Sequence, residues 1–285
     1  MKNFFSKLGI VLKDPTMRKR IGFTIGALIL FRFLSTIPIP GIDIENLQRL
    51  LAGNQFFGLL DIFSGGGISR LSIVMLGVGP YITGSIIMQL LTMMFPKIKA
   101  MMQEEGEAGR AKLSQYSRLI SVPLAALQAL GFLALLQSQN VLPHLGGMNL
   151  FVNIIIVTAG SILLMWLGEL VSEFGIGNGV SLIIFAGIVA VLPTRIMQFA
   201  ASFDISELPF YLLFLIVSLI VIVGVVVVTE AERSVPVTYA KQVRGAKMYG
   251  GGSTYIPLRV NQAGVIPIIF ALSILLFPQM IGNFL

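Results

Sequence analysis

Few side chains in this sequence could serve as nucleophiles, metal ligands or general bases. The 285 residues include no cysteine and a single histidine, His144, whose neighbours Pro143 and Gly146 are typical of an exposed loop. Thiolate zinc sites, multi-histidine metal sites and Cys–His catalysis therefore lack the residues that they require. We expect no catalytic residue, no metal and no cofactor.

Glu169 and Glu173 are the carboxylates whose spacing could support acid–base chemistry. They are four residues apart and so lie on one face of a helix. Because an apolar run ends within 167–180, a solvated helix end is the favoured interpretation. The segment 175–179, GIGNG, lacks the lysine of a phosphate-binding loop. We expect a tight turn between two helices there, with glycines supplying positive φ angles.

Arg32 is an ionisable residue that interrupts an apolar run. A charge inside a membrane is costly and is therefore a functional candidate. An arginine near a helix end can instead extend its head group to the membrane interface. The sequence supports the two alternatives about equally. Asp61 is an acid in a separate short apolar segment.

The composition indicates a protein whose solvent is largely lipid. Hydrophobic residues make up 55% and charged residues 12%, and the mean hydropathy is +0.89. A membrane helix needs roughly 20 mostly apolar residues, and we expect seven such helices, the fifth of them short and ended by Pro193. The seven segments are 21–37, 71–95, 117–137, 151–171, 180–194, 209–229 and 263–284. This pattern predicts an all-α polytopic membrane protein.

The positive charges predict the orientation of these helices. Of the 20 lysines and arginines, six precede residue 21, five lie in 97–118 and five lie in 233–259. Basic residues favour the cytoplasmic side of a membrane. We therefore expect a cytoplasmic N-terminus, with 138–150 and 195–208 on the outside. The net charge of +7 is then mostly an orientation signal.

A short apolar segment, 56–70, cannot cross the membrane and is interrupted by Gly65, Gly66 and Gly67. Irregular backbone at membrane depth must be buried in protein or line an aqueous cavity. A short helix with a glycine hinge, placed before a true span, therefore predicts a movable occluding element. An ordinary surface re-entrant loop is the alternative.

The predicted cytoplasmic loop 230–262 is long for a membrane hairpin. Val235, Val237 and Tyr239 alternate with other residue types, which predicts a short strand. Its basic residues favour a docking arm for an acidic partner, RNA included. Contact with lipid head groups is the alternative.

Five segments in order resemble the SecY family, the channel subunits of the bacterial protein-conducting translocon. They are IPIPGID at 37–43, FSGGGISRLSIVMLGVGPYITGSIIMQLL at 63–91, EGEAGRAKLSQYSR at 105–118, EFGIGNGVSLIIFAGIVA at 173–190 and STYIPLRVNQAGVIPIIFA at 253–271. The resemblance covers essentially the whole chain and implies a channel that passes secretory polypeptides and releases membrane helices sideways into lipid.

The resemblance also implies roles for individual residues. The pore ring of the family falls on five isoleucines here: Ile82, Ile86, Ile184, Ile188 and Ile269. The plug that closes the channel on the outer side falls at about 57–68, with Leu59, Leu60, Asp61, Ile62, Phe63, Ser64, Gly65, Gly66 and Gly67. The second and seventh spans match two walls of the lateral gate. The ring needs no chemistry, which agrees with the lack of catalytic residues.

The partners implied are the ribosome, the motor ATPase SecA, SecE-like and SecG-like small membrane subunits, signal sequences of client polypeptides and membrane lipid. Lys241, Arg244 and Lys247 match the docking cations of the family, although Ala246 stands where the family commonly has arginine. The location implied is the bacterial cytoplasmic (inner) membrane.

The family has ten spans in two inverted halves of five, and seven are found here. We expect a cytoplasmic segment 1–20, a first half 21–194 with the plug, and a truncated second half 195–285 with the docking loop 230–262. Because the sequence ends directly after an apolar run, we expect a piece of a longer chain.

Two other functions compete with a passive channel. An ion-coupled secondary transporter should have a titrating acid that faces a cavity at the membrane midplane. An intramembrane enzyme is disfavoured by the lack of cysteine and the single histidine.

Overall fold

The computed structural model describes residues 13–40, 64, 66–68, 70–138, 146–201, 203–204, 207–238, 242–244, 247–249, 253–261, 264 and 271. These residues are mostly helical. The helices are α1 (Pro15–Leu34), α2 (Gly79–Met94), α3 (Pro96–Glu104), α4 (Gly106–Ser138), α5 (Gly147–Phe174), α6 (Gly179–Ala201) and α7 (Leu208–Glu230). The strands are β1 (Glu232–Thr238), β2 (Gln242–Arg244), β3 (Lys247–Tyr249) and β4 (Ser253–Arg259).

Within these described residues, four helices, α4 to α7, are long and apolar enough to cross a membrane. Each contains one predicted apolar run. Helix α1 has 20 residues, but three of its first six are cations. Helix α2 has 16 residues, fewer than the roughly 20 that a membrane span needs. The predicted span 263–284 lies almost entirely outside the described residues. Helices able to cross a membrane are therefore confirmed, but their number is not confirmed as seven.

Two predicted helix boundaries are wrong. Helix α2 begins at Gly79, because 71–78 folds into turns in which Met75 N donates to Ser72 O (2.9 Å) and Gly77 N to Val74 O (2.8 Å). Helix α6 continues through Pro193 to Ala201. In lipid no water is available to bind released backbone groups, so a helix tends to keep its remaining hydrogen bonds beyond a proline.

The prediction of an all-α fold is incomplete, because the loop after α7 forms two small sheets. Strand β1 pairs with β4 in antiparallel register from Glu232↔Arg259 to Thr238↔Ser253, and β2 pairs with β3. The alternation at Val235 and Val237 is thereby confirmed as a strand, whereas Tyr239 lies outside the described residues. Branched side chains at every second position suit a pleated strand.

Contacts divide the described residues into two units, one up to Met197 and one from Gln198 onward. In the first unit the turn segment 71–78 lies between two apolar clusters. Leu71 and Met75 belong to one cluster, with Leu133 and Val157 among its members. Val74 belongs to the second. The buried members of this second cluster are Ala27, Phe31, Val74, Val78, Leu164, Leu167, Val171 and Ile183.

Glycines permit close approach of backbone at two places in the first unit. A Cβ on Gly84 of α2 would lie 3.0 Å from Ser117 O of α4. A Cβ on Gly160 of α5 would collide with Ile73 O in the turn segment. Small residues at such contacts are typical of packing between membrane helices. They place α2 and the segment before it directly against α4 and α5.

Candidate functional site

The start of α2 positions the first two predicted ring residues. Pro80 stands in the first turn, where its missing N–H is not needed. Ile82 follows; it is half-buried and packs against the second apolar cluster. Ile86 lies one turn later and is 6% exposed. The two isoleucines are therefore on one face of α2, as their spacing predicts.

The turn before α6 positions the next two. Gly177 has φ of +71°, and Asn178 Oδ1 accepts a hydrogen bond from Ser181 N at 3.0 Å, which caps the helix. The prediction of a tight glycine turn at 175–179 is confirmed. Ile184 is half-buried against the second cluster, and Ile188, one turn later, is 38% exposed.

Ile82 of α2 and Ile184 of α6 thus pack against the same apolar cluster. Ile86 and Ile188 continue the same two helix faces. Ile269 lies outside the described residues. The pore ring therefore stays a prediction. Four of its five residues lie on α2 and α6, and both helices contact the second apolar cluster.

The start of α6 is held by two hydroxyl groups that sequence reasoning did not single out. Thr24 Oγ1 of α1 accepts a hydrogen bond from Ile176 N at 3.2 Å. Ser172 Oγ of α5 accepts one from Gly179 N at 2.8 Å. A Cβ on Gly175 would lie 2.5 Å from Thr24 Oγ1. The contacts of Thr24 join residues more than 150 positions apart, which no local pattern reveals.

The described end of the predicted plug is attached to the turn segment 71–78. Ser64 is buried, and its Oγ accepts a hydrogen bond from Ile68 N at 3.2 Å. Ser72 N donates to Gly67 O at 2.9 Å. Gly66 has φ of +79°, a backbone state that glycine adopts without a steric penalty. The plug residues Leu59, Leu60, Asp61, Ile62, Phe63 and Gly65 lie outside the described residues.

Glu169 and Glu173 differ in their surroundings. Glu169 Oε1 lies 2.5 Å from Arg118 Nε of α4, with the glutamate side chain 21% exposed, although no N–H points directly at that oxygen. Glu173 is exposed. The prediction of a solvated helix end is therefore wrong for Glu169, because a helix packed beside it supplies a counter-charge.

Arg32 lies in the last turn of α1 and is half-buried. From that position a long side chain can extend along the helix end toward the interface. The structure favours this alternative over a charge at the centre of the membrane.

The predicted docking cations fall at a hairpin. Arg244 ends β2, Lys247 begins β3, and the two residues are paired in register. Lys241 lies outside the described residues. The longer β1–β4 ladder leads to this hairpin, and Arg259 and Glu232 form an ion pair of 3.7 Å where that ladder begins.

Residues 72–285 match the sequence model of the SecY family. The chain belongs to the SecY family. It is 42% identical to protein translocase subunit SecY of Streptomyces coelicolor, over 95% of this chain and 65% of that one. It is also 42% identical to the subunit of Corynebacterium glutamicum, over 94% of this chain and 63% of that one. This SecY-family chain thus spans about two thirds of the length of the curated relatives that it matches.

Solved structures show the fold of the SecY family. One, titled "The structure of a protein conducting channel", aligns with a TM-score of 0.64 and 23% identity, over 95% of this chain and 60% of that one. Another, Sec61 in the canine ribosome-channel complex from the endoplasmic reticulum, aligns with a TM-score of 0.62 and 23% identity, with the same coverage. The names and titles agree with a channel and give no support to the ion-coupled transporter alternative.

Proposed function

We propose that this membrane-embedded chain forms part of a channel through which secretory polypeptides cross, and membrane helices enter, the bacterial cytoplasmic membrane. The observation that supports this most is the packing of Ile82 and Ile184 from two helices against one apolar cluster. In this proposal the two isoleucines form two sides of a constriction lined by branched apolar side chains.

Ring isoleucines suit a channel that needs no chemistry. Branched apolar groups hold no water, so a narrow ring of them excludes ions by dewetting. They also bend aside for a passing polypeptide and close again when it leaves. In this proposal the chain has no catalytic role, and the driving force comes from partners on the cytoplasmic side.

The proposed second barrier is the plug at about 57–68. Its described end is attached through Ser64 and Gly67 to the turn segment 71–78. A positive φ at Gly66 is a backbone state that a hinge can use. Movement of the apolar residues before Ser64 would then open the outer side of the channel.

The proposed partners are the ribosome and SecA on the cytoplasmic side, with SecE-like and SecG-like small subunits in the membrane. A relative in fold is named as part of a ribosome-channel complex, and Arg244 and Lys247 adjoin at the β2–β3 hairpin. Paired cations at the tip of a hairpin suit an anionic surface such as ribosomal RNA. Signal sequences and membrane lipid would meet the lateral gate.

The proposed arrangement in the membrane is seven spans and a re-entrant plug, with the N-terminus cytoplasmic. Residues 1–20 would lie in the cytoplasm, 21–194 would form the first half of the channel, and 195–285 would begin the second half with the docking loop 230–262. Four apolar helices and the distribution of cations support this arrangement.

Site-specific photocrosslinking tests this function. A photoreactive residue at Ile86 or Ile188 should crosslink to a secretory polypeptide stalled during export. The same residue at Leu215, which is exposed on the strongly apolar helix α7, serves as a lipid-facing control. Crosslinks from Leu215 with none from Ile86 or Ile188 would contradict the proposed path.

A further inference from the structure

Gly160 of α5 lies directly against the turn segment 71–78. It is buried, and a Cβ built on it would collide with Ile73 O and lie 2.9 Å from Ile73 C and 3.3 Å from Val74 Cγ1. Two of these three atoms belong to the backbone, so no change of rotamer moves them away. Added bulk in a packed site forces the backbone to shift. A side chain at position 160 must therefore displace the turn segment or α5.

The turn segment is fixed by other contacts as well. Ile73 N donates a hydrogen bond to Ile37 O at 3.0 Å. Two residues earlier, Leu71 O accepts one from Ile39 N at 2.8 Å. Leu71 also has φ of +41° and is 1% exposed. A leucine keeps this unfavourable backbone state only where the surrounding structure holds it.

The described end of the predicted plug contacts the same segment. Ser72 N donates to Gly67 O at 2.9 Å, and Met75 N donates to Ser72 O at 2.9 Å. A Cβ on Gly67 would lie 3.1 Å from Met75 Cα. The two residues that touch Gly67 thus close one hydrogen-bonded turn, and Ile73, which meets Gly160, lies inside it. A displacement of Ile73 therefore also moves the residues that hold the end of the plug.

We propose that Gly160 is a positioning residue for the predicted plug. Because it has no side chain, α5 lies against the backbone of the turn segment, and the turn segment then holds Gly67. Gly160 acts in this way without contact to the pore ring. The consequence for closing a channel rests on the proposed function, whereas the placement of the turn segment does not.

One added methyl group tests this role. Gly160→Ala places a Cβ against Ile73 O, so the turn segment should be displaced. The matched control is Gly224→Ala, which makes the same change in the apolar helix α7, where a Cβ would meet nothing within 4 Å. Alanine is favoured over glycine inside helices. Helix propensity alone therefore predicts no loss in either variant.

Thiol labelling of the protein in membrane vesicles, with a small membrane-permeant reagent, measures the placement of the turn segment. Ser72 is 0% exposed and its Oγ has no hydrogen-bond partner, so Ser72→Cys loses no bond. The chain has no native cysteine, and the reporter is therefore the single thiol. Gly160→Ala should raise its labelling rate about tenfold, because local displacement exposes it. Gly224→Ala should leave the rate unchanged.

A second reporter separates local displacement from general loosening. Ser117 of α4 is buried, and its Oγ donates to Leu113 O at 3.0 Å within the same helix. Ser117→Cys should stay protected in Gly160→Ala. An equal rise in labelling at Ser72→Cys and Ser117→Cys would overturn the proposal, because Gly160 would then stabilise the helices in general. An unchanged rate at Ser72→Cys in Gly160→Ala would also overturn it.

If Gly160→Ala does not accumulate in the membrane, Gly67→Ala decides instead. Its Cβ, 3.1 Å from Met75 Cα, is close enough to require a shift of a few tenths of an ångström. A turn segment fixed against α5 cannot absorb that shift, so labelling at Ser72→Cys should rise, though less than in Gly160→Ala. An unchanged rate would overturn the proposal, because the segment would then yield freely to added bulk.

Ion conductance in planar bilayers tests the consequence for the channel separately. In the background of Ile86→Asn with Ile188→Asn, Gly160→Ala should add to the current, as deletion of 58–67 should. Added current together with the expected labelling would support both the placement of the turn segment and the plug. The expected labelling without added current would support the placement and contradict the plug as a second barrier.

Discussion

Single hydroxyl groups connect helices in this protein, and Thr24 is the clearest case. Its Oγ1 donates to Arg20 O at 2.9 Å within α1 and accepts from Ile176 N at 3.2 Å at the turn before α6. Nearly all of the side chain is buried. A buried N–H that loses its acceptor costs more than an exposed one, because no water replaces the lost bond.

Thr24→Val keeps the shape of the side chain and removes the acceptor. We expect a loss of about 1 kcal/mol in the free energy of unfolding, because the partly buried Ile176 N loses its acceptor. Thr92→Val is the matched control, since Thr92 Oγ1 donates to Met88 O within its own helix. Thermal unfolding in detergent measures both variants. Equal melting temperatures for the two would show that Thr24 does not hold the turn.

For single residues, the sequence predicted relations between near neighbours along the chain and missed contacts between distant residues. The spacing of Ile82 and Ile86, or of Ile184 and Ile188, shows which residues share a helix face. The pairing of Glu169 with Arg118 crosses 51 positions, so only the packing of α4 against α5 reveals it. The same holds for Thr24 and Ile176.

Among elements, the long apolar helices were predictable and the turn segment was not. Helices α4, α5 and α7 each contain a predicted run, because apolar residues on every side suit lipid. Segment 71–78 is equally apolar, yet it folds into turns because Ile39 N donates to Leu71 O (2.8 Å) and Ile73 N to Ile37 O (3.0 Å). These bonds join residues more than 30 positions apart, which no local pattern reveals.

The β2–β3 hairpin gives the prediction for docking. Changing Lys241, Arg244 and Lys247 together to glutamate should weaken binding to ribosomes or SecA, because the cations meet an anionic surface. Binding of the unmodified protein should fall with salt, since exposed charges are screened beyond about 10 Å at 0.1 M. Cosedimentation measures both effects.

The matched control reverses Lys97, Lys99 and Arg110, which changes the net charge equally on another predicted cytoplasmic segment. A larger loss of binding in this control than in the hairpin variant would place the docking surface elsewhere.

The whole molecule is a membrane protein whose chain spans about two thirds of its SecY relatives. The cation distribution predicts which loops face the cytoplasm. Because the sequence has no cysteine, single substitutions report orientation without background. This makes the predicted arrangement directly measurable.

We expect a cysteine at Gln139 to react with a reagent that cannot cross the membrane and is added from outside. A cysteine at Gly251 should react only after the membrane is opened. Labelling of Gly251→Cys from outside, with protection of Gln139→Cys, would reverse the orientation.

The central claim is that isoleucines of α2 and α6 seal a pore, and single-channel conductance in planar bilayers tests it most directly. Ile86→Asn with Ile188→Asn places amide donors and acceptors at the constriction, so that water and ions should enter. Deletion of 58–67 should add to the current by removing the second barrier. The control is Val189→Asn, about 100° or more around α6 from both Ile184 and Ile188 and 39% exposed. We predict a large ionic current in the combined Asn and deletion variant and almost none in the unmodified protein or the control. Equal, negligible current in all of them, or a current in the control alone, would contradict the account.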